Sequence, residues 1–111
     1  MYQMIINNRH LYFSHRQLRH AYKHAHCLGI AGQASNVTLD AFRLALTRHV
    51  QSLDTRLVQG SFRGIPVTHF VNFRTGLNVM RDSRGYFLSV WILSAVQMMH
   101  MVNGGKLGGG V

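Results

Sequence analysis

RLVQGSFRGIPVTHFVNFRTGLNVMRDSRGYFLSVW, Arg56 to Trp91, decides the fold. Short β-branched and aromatic runs alternate here with glycine-bearing turns. TRLVQGS reads as a strand, FRG as a turn and IPVTHFVNF as the clearest strand of the chain. Its alternation puts Ile65, Val67, His69, Val71 and Phe73 on one face, and Pro66 suits a strand beginning or an edge. RTG is a second turn, LNVMRD a strand, SRG a third turn and YFLSVW a strand. Turns this short imply hairpins, hence an antiparallel meander. Downstream, Ser94 is placed to cap a last helix, AVQMMHMVN, ended by Gly104 and Gly105, with KLGGGV as a flexible tail.

Upstream the period changes from two to about 3.6. Thr38 is placed to cap LDAFRLALTRHVQSL, whose stripe is Phe42, Leu46 and Val50, extended by Leu39 and Leu53. AGQASN (31–36) is a loop. Before it, Ser14 caps a helix, HRQLRHAYKHAHCL, that runs to Gly29 as its C′ residue. Leu18, Ala21, Tyr22, Ala25 and Leu28 form its apolar stripe, and its other side is basic. Residues 2–6 read as a short strand or lead-in. The expectation is a single α+β domain: N-terminal helices packed on one face of a small antiparallel β-meander, with a short C-terminal helix. Its parts are 1–11 lead-in, 12–53 helical, 54–92 meander, 93–104 helix and 105–111 tail.

The 111 residues are 47% hydrophobic, enough for one core. No apolar run approaches the ~20 residues of a spanning helix, and the N-terminus lacks a secretory pattern, so no membrane association is expected. Twelve Lys and Arg face three aspartates, Asp40, Asp54 and Asp82, a formal charge of +9. This excess points to a polyanionic partner. So few carboxylates argue against two-metal nucleases, Mg²⁺ phosphotransferases and glycosidases. A single cysteine excludes an internal disulfide.

The densest chemistry lies in LRHAYKHAHCLGI, Leu18 to Ile30, which holds His20, His24 and His26 with Arg19, Lys23 and Cys27. On an α-helix His20, His24 and Cys27 would share a face, and zinc accepts such ligands. Three ligands on one helix rarely surround an ion, however, and no acid is near to orient the imidazoles, so neither metal nor cofactor is expected. The plain alternatives are solvated surface histidines, a core or edge role for His69, core packing for Met98, Met99 and Met101, and a small buried hydrophobe in Cys27. The chemical reading is cleavage of RNA, whose 2′-OH is a built-in nucleophile. Histidine moves protons near neutral pH, Lys and Arg neutralise the phosphorane, and no metal or carboxylate is obligatory. Trp91, Tyr86 and Phe70 are candidates to stack an unpaired base.

YKHAHCLGI (22–30) and RLVQGSFRGIPVTHFVNFRTGLNVMRDSRGYFLSVWILSAVQM (56–98) resemble the C-terminal nuclease domain of colicin D and related bacterial toxins. The shared pattern is Lys-His-Ala followed by Gly-Ile, an Arg-Gly turn, a Val-Thr-His strand, Thr-Gly-Leu-Asn-Val and a Trp before the last helix. The resemblance covers roughly residues 12–108. It implies a metal-independent tRNase that cuts in the anticodon loop and leaves a cyclic phosphate. It also implies an acidic immunity or antitoxin protein and a cytoplasmic site of action, reached by delivery into a target bacterium or as one half of a toxin–antitoxin pair. By the same resemblance His24 is the principal proton-transfer group, Lys23 contacts phosphate and Trp91 supports the substrate. Arg19 would add positive charge, His20 and His26 are possible second proton-transfer groups, and His69 is a weaker one. Leu28 stands where the family has Phe. Ala21 and Ser89 stand where further lysines are expected, and Arg19 or His20 is a candidate replacement for the first. The other reading is a non-catalytic RNA- or DNA-binding module using the same basic helix.

Overall fold

A computed structural model describes residues 8–108. The lead-in strand expected at 2–6 lies outside them. The elements are α1 (His15–Ala21), a 3₁₀ helix (Tyr22–Leu28), α2 (Asn36–Gln51), β1 (Arg56–Phe62), β2 (Ile65–Val71), β3 (Leu77–Asp82), β4 (Phe87–Ile92), α3 (Ala95–Val102) and β5 (Lys106–Leu107). The sheet order is β4-β3-β2-β1-β5. β1 to β4 form the expected antiparallel meander. The class is α+β.

Four local expectations are corrected. The first helix does not run through as one α-helix: Ser14 caps it, but the hydrogen bonding tightens to 3₁₀ at Tyr22 and ends at Gly29, whose φ is 77°. α2 is capped by Ser35, and Thr38 is its reciprocal partner, each side chain taking the other's backbone N–H. α2 ends before Leu53, which is 92% exposed and not part of the stripe. Lys106–Leu107 are no tail: they pair parallel to β1, opposite Ser61 and Phe62.

The helices do not all lie on one face. α1, the 3₁₀ helix and α2 cover one side of the sheet, through Leu18, Ala25, Phe42 and Leu46 against Phe70, Val79, Phe87 and Val90. Phe42 sits at the centre, with Tyr22 and Phe87 edge-on at 5.6 and 6.1 Å. α3 packs on the opposite side, where Met101, Leu93, Leu107 and Val71 gather with Trp91, Phe62 and Met98. Met99, expected in the core, is 62% exposed on the outer side of α3. With both faces covered, Val67 to Val71 are buried without a break. Pro66 is tolerated because β3 pairs only from Val67 onward.

β5 holds the sheet's far edge at close quarters. Ser61 N–H donates to the Gly105 carbonyl at 2.9 Å, and Arg63 N–H to the Leu107 carbonyl at 2.8 Å. A Cβ at Gly60 would lie 2.1 Å from the Gly105 oxygen. The two backbones can approach this far only because residue 60 has no side chain.

Candidate active site

The 3₁₀ helix sets out its residues with a period of three. Tyr22, Ala25 and Leu28 face the core, Lys23 and His26 are exposed, and His24 and Cys27 lie half-buried between. His20, from the last turn of α1, lines the same depression as Lys23 and His24. Across from these helical residues the β1–β2 turn brings Phe62 and Arg63. The sheet supplies Val67, Met80, Ser89 and Trp91. Together they enclose an open cleft of about 1210 Å³. Gln17 also lines it and donates from Nε2 to the Leu88 carbonyl at 2.5 Å, tying α1 to the outer strand β4.

Electrostatics follow from this packing. Burial, helped by the neighbouring Lys23, His26 and His20, holds the His24 imidazole below its ordinary 6.5, so it is predominantly neutral at pH 7. A neutral imidazole can accept a proton. Asp82 also lines the cleft. Burial alone would raise its carboxyl, but N–H groups of Tyr86 and Arg84, with the Arg84 guanidinium, outweigh this and hold it below 3.8. Its oxygens are committed to the β3–β4 turn: Oδ1 accepts from Arg84 N and Tyr86 N, both at 2.9 Å, and Oδ2 from Arg84 Nη2 at 3.2 Å. Asp40 and Asp54 pair with Arg43 and Arg74. Among the described residues no carboxylate pairs with Lys23 or Arg63.

Trp91 is half-buried in the wall. Its Nε1–H points to Gln97 Oε1 at 3.4 Å, and its ring lies 5.6 Å from that of Phe62. Gln97 Oε1 also takes the Ser94 N–H at 2.9 Å, so the cap of α3 and the indole share one acceptor.

The expected site residues divide accordingly. His20, Lys23, His24 and Trp91 meet at the cleft. Arg19 is exposed but does not line it. His26 is turned aside, Nδ1 lying 3.1 Å from the Lys23 carbonyl and Nε2 3.7 Å from Cys27 Sγ. Cys27 is therefore half-buried rather than a core residue. His69 takes the core role, not that of a proton-transfer or other substrate-contacting group. It is fully buried, with Nε2 2.7 Å from the Gly105 carbonyl and Nδ1 3.2 Å from Asn78 Nδ2. A carbonyl on one side and an amide donor on the other require the neutral Nε2–H tautomer. Phe70 lies wholly in the core, so it presents no stacking face to a base. Ala21 is only 1% exposed and lines the floor of the cleft, so it brings no charge there. His20, His24 and Cys27 do not converge as ligands, and among the described residues no three His, Cys, Asp or Glu side chains do. Arg63, Phe62, Gln17 and Gln97 have no counterpart among the residues expected from sequence. Of these only Arg63 carried a signal, a cation preceding Gly64 in a tight turn.

Helices over a meander, with a basic cleft built around histidines, define an α+β domain with a site suited to a polyanion. A family model for colicin D matches residues 17–101, and the chain belongs to the colicin D family. Among solved structures it is similar to a ribonuclease from Escherichia coli complexed with its inhibitor protein. The two are 32% identical with a TM-score of 0.71, covering 82% of this chain and all of that one. No curated protein matches the chain. Among the described residues no helix is long and apolar enough to cross a membrane.

Proposed function

We propose that this chain is a ribonuclease toxin that cleaves tRNA in the anticodon loop, without metal, by histidine acid/base chemistry. Family membership and the ribonuclease neighbour support the ribonuclease class. One observation supports the acid/base chemistry: a half-buried imidazole, His24, held neutral beside Lys23 in a cleft whose cations have no carboxylate partner among the described residues; the anticodon loop as target follows the family resemblance. His24 takes the proton of a ribose 2′-OH. The 2′-oxygen attacks phosphorus, the P–O5′ bond breaks and a 2′,3′-cyclic phosphate forms. His20, on the same cleft, is placed to return a proton to the leaving 5′-oxygen. Lys23 stabilises the charge that develops on the phosphorane, and Trp91 offers an aromatic edge to the loop nucleotides. Arg19 acts at longer range, steering RNA toward the cleft.

An anionic substrate and a +9 chain imply that an inhibitor of this toxin, an immunity or antitoxin protein, would be acidic where it covers the cleft. The site of action is the cytoplasm, where tRNA is found, with delivery into a target bacterium as the route. The test is incubation with total bacterial tRNA in excess EDTA beside His24→Ala, followed by mapping of product 5′ ends. Discrete anticodon-loop cuts by the parent, absent from the variant, are the expected result. Intact tRNA with both proteins despite tight binding would leave a non-catalytic RNA- or DNA-binding module.

A further inference from the structure

Among the described residues Arg63 is the one non-glycine residue with positive φ, at 53°, followed by Gly64 at 80°. Phe62 pairs with Ile65, so Arg63 and Gly64 form a two-residue hairpin loop of type I′. Glycine or asparagine suits the first position of such a loop. A long side chain there is held in a sparsely populated region. Nothing in the fold requires that side chain. The N–H bond to Leu107 is a backbone bond that any residue but proline could make. The guanidinium lies over the Phe62 ring, 5.0 Å from its centroid, and the residue is exposed. Phe62 is in turn backed by Trp91 at 5.6 Å. The result is a cation over one aromatic ring, itself tilted against a second, at the rim of the cleft that holds Lys23 and His24.

We propose that Arg63 forms a second phosphate-binding site of this cleft, gripping an RNA phosphate from the hairpin wall while Lys23 acts from the helical wall. A planar guanidinium offers a two-pronged donor set to phosphate oxygens, and its aromatic bed fixes the plane of the fork. The strained backbone is then explained by the placement of this head group, not by folding. The inference rests on the cleft being an RNA site.

The experiment measures tRNA affinity against salt concentration with His24→Ala as the background, so that no turnover intervenes, and adds Arg63→Gly or Arg63→Lys. Arg63→Gly relieves the backbone, so its melting temperature should equal or exceed that of the background. Its affinity should fall about tenfold. The slope of log affinity against log salt should become shallower by about 0.7, the loss of one phosphate contact on single-stranded RNA. Arg63→Lys should keep the slope while losing part of the affinity. A turn with a merely structural arginine would leave the slope unmoved. An unchanged slope and affinity in a folded Arg63→Gly chain overturns the assignment of Arg63 and leaves the RNA reading standing. A background chain that binds no tRNA at low salt overturns both.

Discussion

Replacing Gly60 with alanine tests how the far edge of the sheet is held. The new methyl would start 2.1 Å from the Gly105 oxygen and 2.7 Å from its carbonyl carbon. Both are backbone atoms, so no side chain can swing aside. Relief requires β5 to retreat by about 1 Å, since an ordinary carbon–oxygen contact needs more than 3 Å. Three hydrogen bonds stand in the way: Ser61 N–H to Gly105 O at 2.9 Å, His69 Nε2–H to the same oxygen at 2.7 Å, and Arg63 N–H to Leu107 O at 2.8 Å. At about 1 kcal/mol each their loss amounts to roughly 3 kcal/mol. For 111 residues, at about 2.1 cal/mol/K per residue, that is a fall in Tm of about 13 °C. Gly64→Ala is the control: its φ is 80° but nothing lies within 4 Å of the added methyl, so only the backbone penalty of about 1 kcal/mol remains. Thermal and denaturant unfolding of both variants gives the comparison. A Gly60→Ala chain as stable as the parent, or no less stable than Gly64→Ala, would refute the close approach of β5 to β1.

Three further outcomes are expected. Lys23 depresses the His24 pKa, so Lys23→Met should move the His24 titration, read by NMR, to higher pH, and any residual cleavage should lose its acid limb at correspondingly higher pH. Burial is the main cause holding His49 and His69 below 6.5. The unfolded chain therefore binds more protons below that value, and stability should decline as pH falls beneath 6.5, by at most about 1.4 kcal/mol per pH unit per group. The Asp82 contribution has the opposite origin: hydrogen bonds and the Arg84 guanidinium hold its carboxyl below 3.8, so its stabilisation is present above the unfolded value and is lost as pH falls from about 3.8 through the lower folded value, a second decline at more acid pH. Melting temperatures measured across acid pH check both. Finally, Gln97→Leu removes the acceptor shared by Trp91 and the α3 cap, so the emission of the single tryptophan should shift and the chain should lose about 1 kcal/mol; an unchanged spectrum would mean that Gln97 does not position the indole.

The meander was legible because its turns are written in glycine. Arg63–Gly64, Thr75–Gly76 and Arg84–Gly85 each end one strand and begin the next. Ser14, Ser94 and Gly29 were legible as caps for the same local reason. β5 was not, since two residues between glycines carry no periodicity. Its trace lies elsewhere, in Gly60 within a strand, which marks the close passage of another backbone. The covering of both faces was not read either, since Val67 to Val71 scan as an alternating strand and their unbroken burial appears only in the folded sheet. Of the residues that line the cleft, His20, Lys23, His24 and Trp91 were singled out through their chemistry and the resemblance. His69 was left between a core role and a weak proton-transfer role because polarity on an apolar strand looks the same whether a ligand or a buried carbonyl satisfies it. Arg63 was missed because its φ is a property of the folded turn.

The period of three along Tyr22–Leu28 has a consequence for how such a toxin can diversify. Every third position belongs to the core, and the positions between face outward, Lys23 and His24 onto the cleft. Inserting or deleting one residue would pass each side chain to its neighbour's task, sending a histidine into the core and a leucine into water. Substitutions meet no such barrier at His26 or Cys27, which line neither the core nor the cleft. The segment is therefore frozen in length and free in spelling only at these positions. Variants that escape an inhibitor while keeping the imidazole in place should arise by exchange of letters in this stretch, with insertions confined to the loop after Ile30.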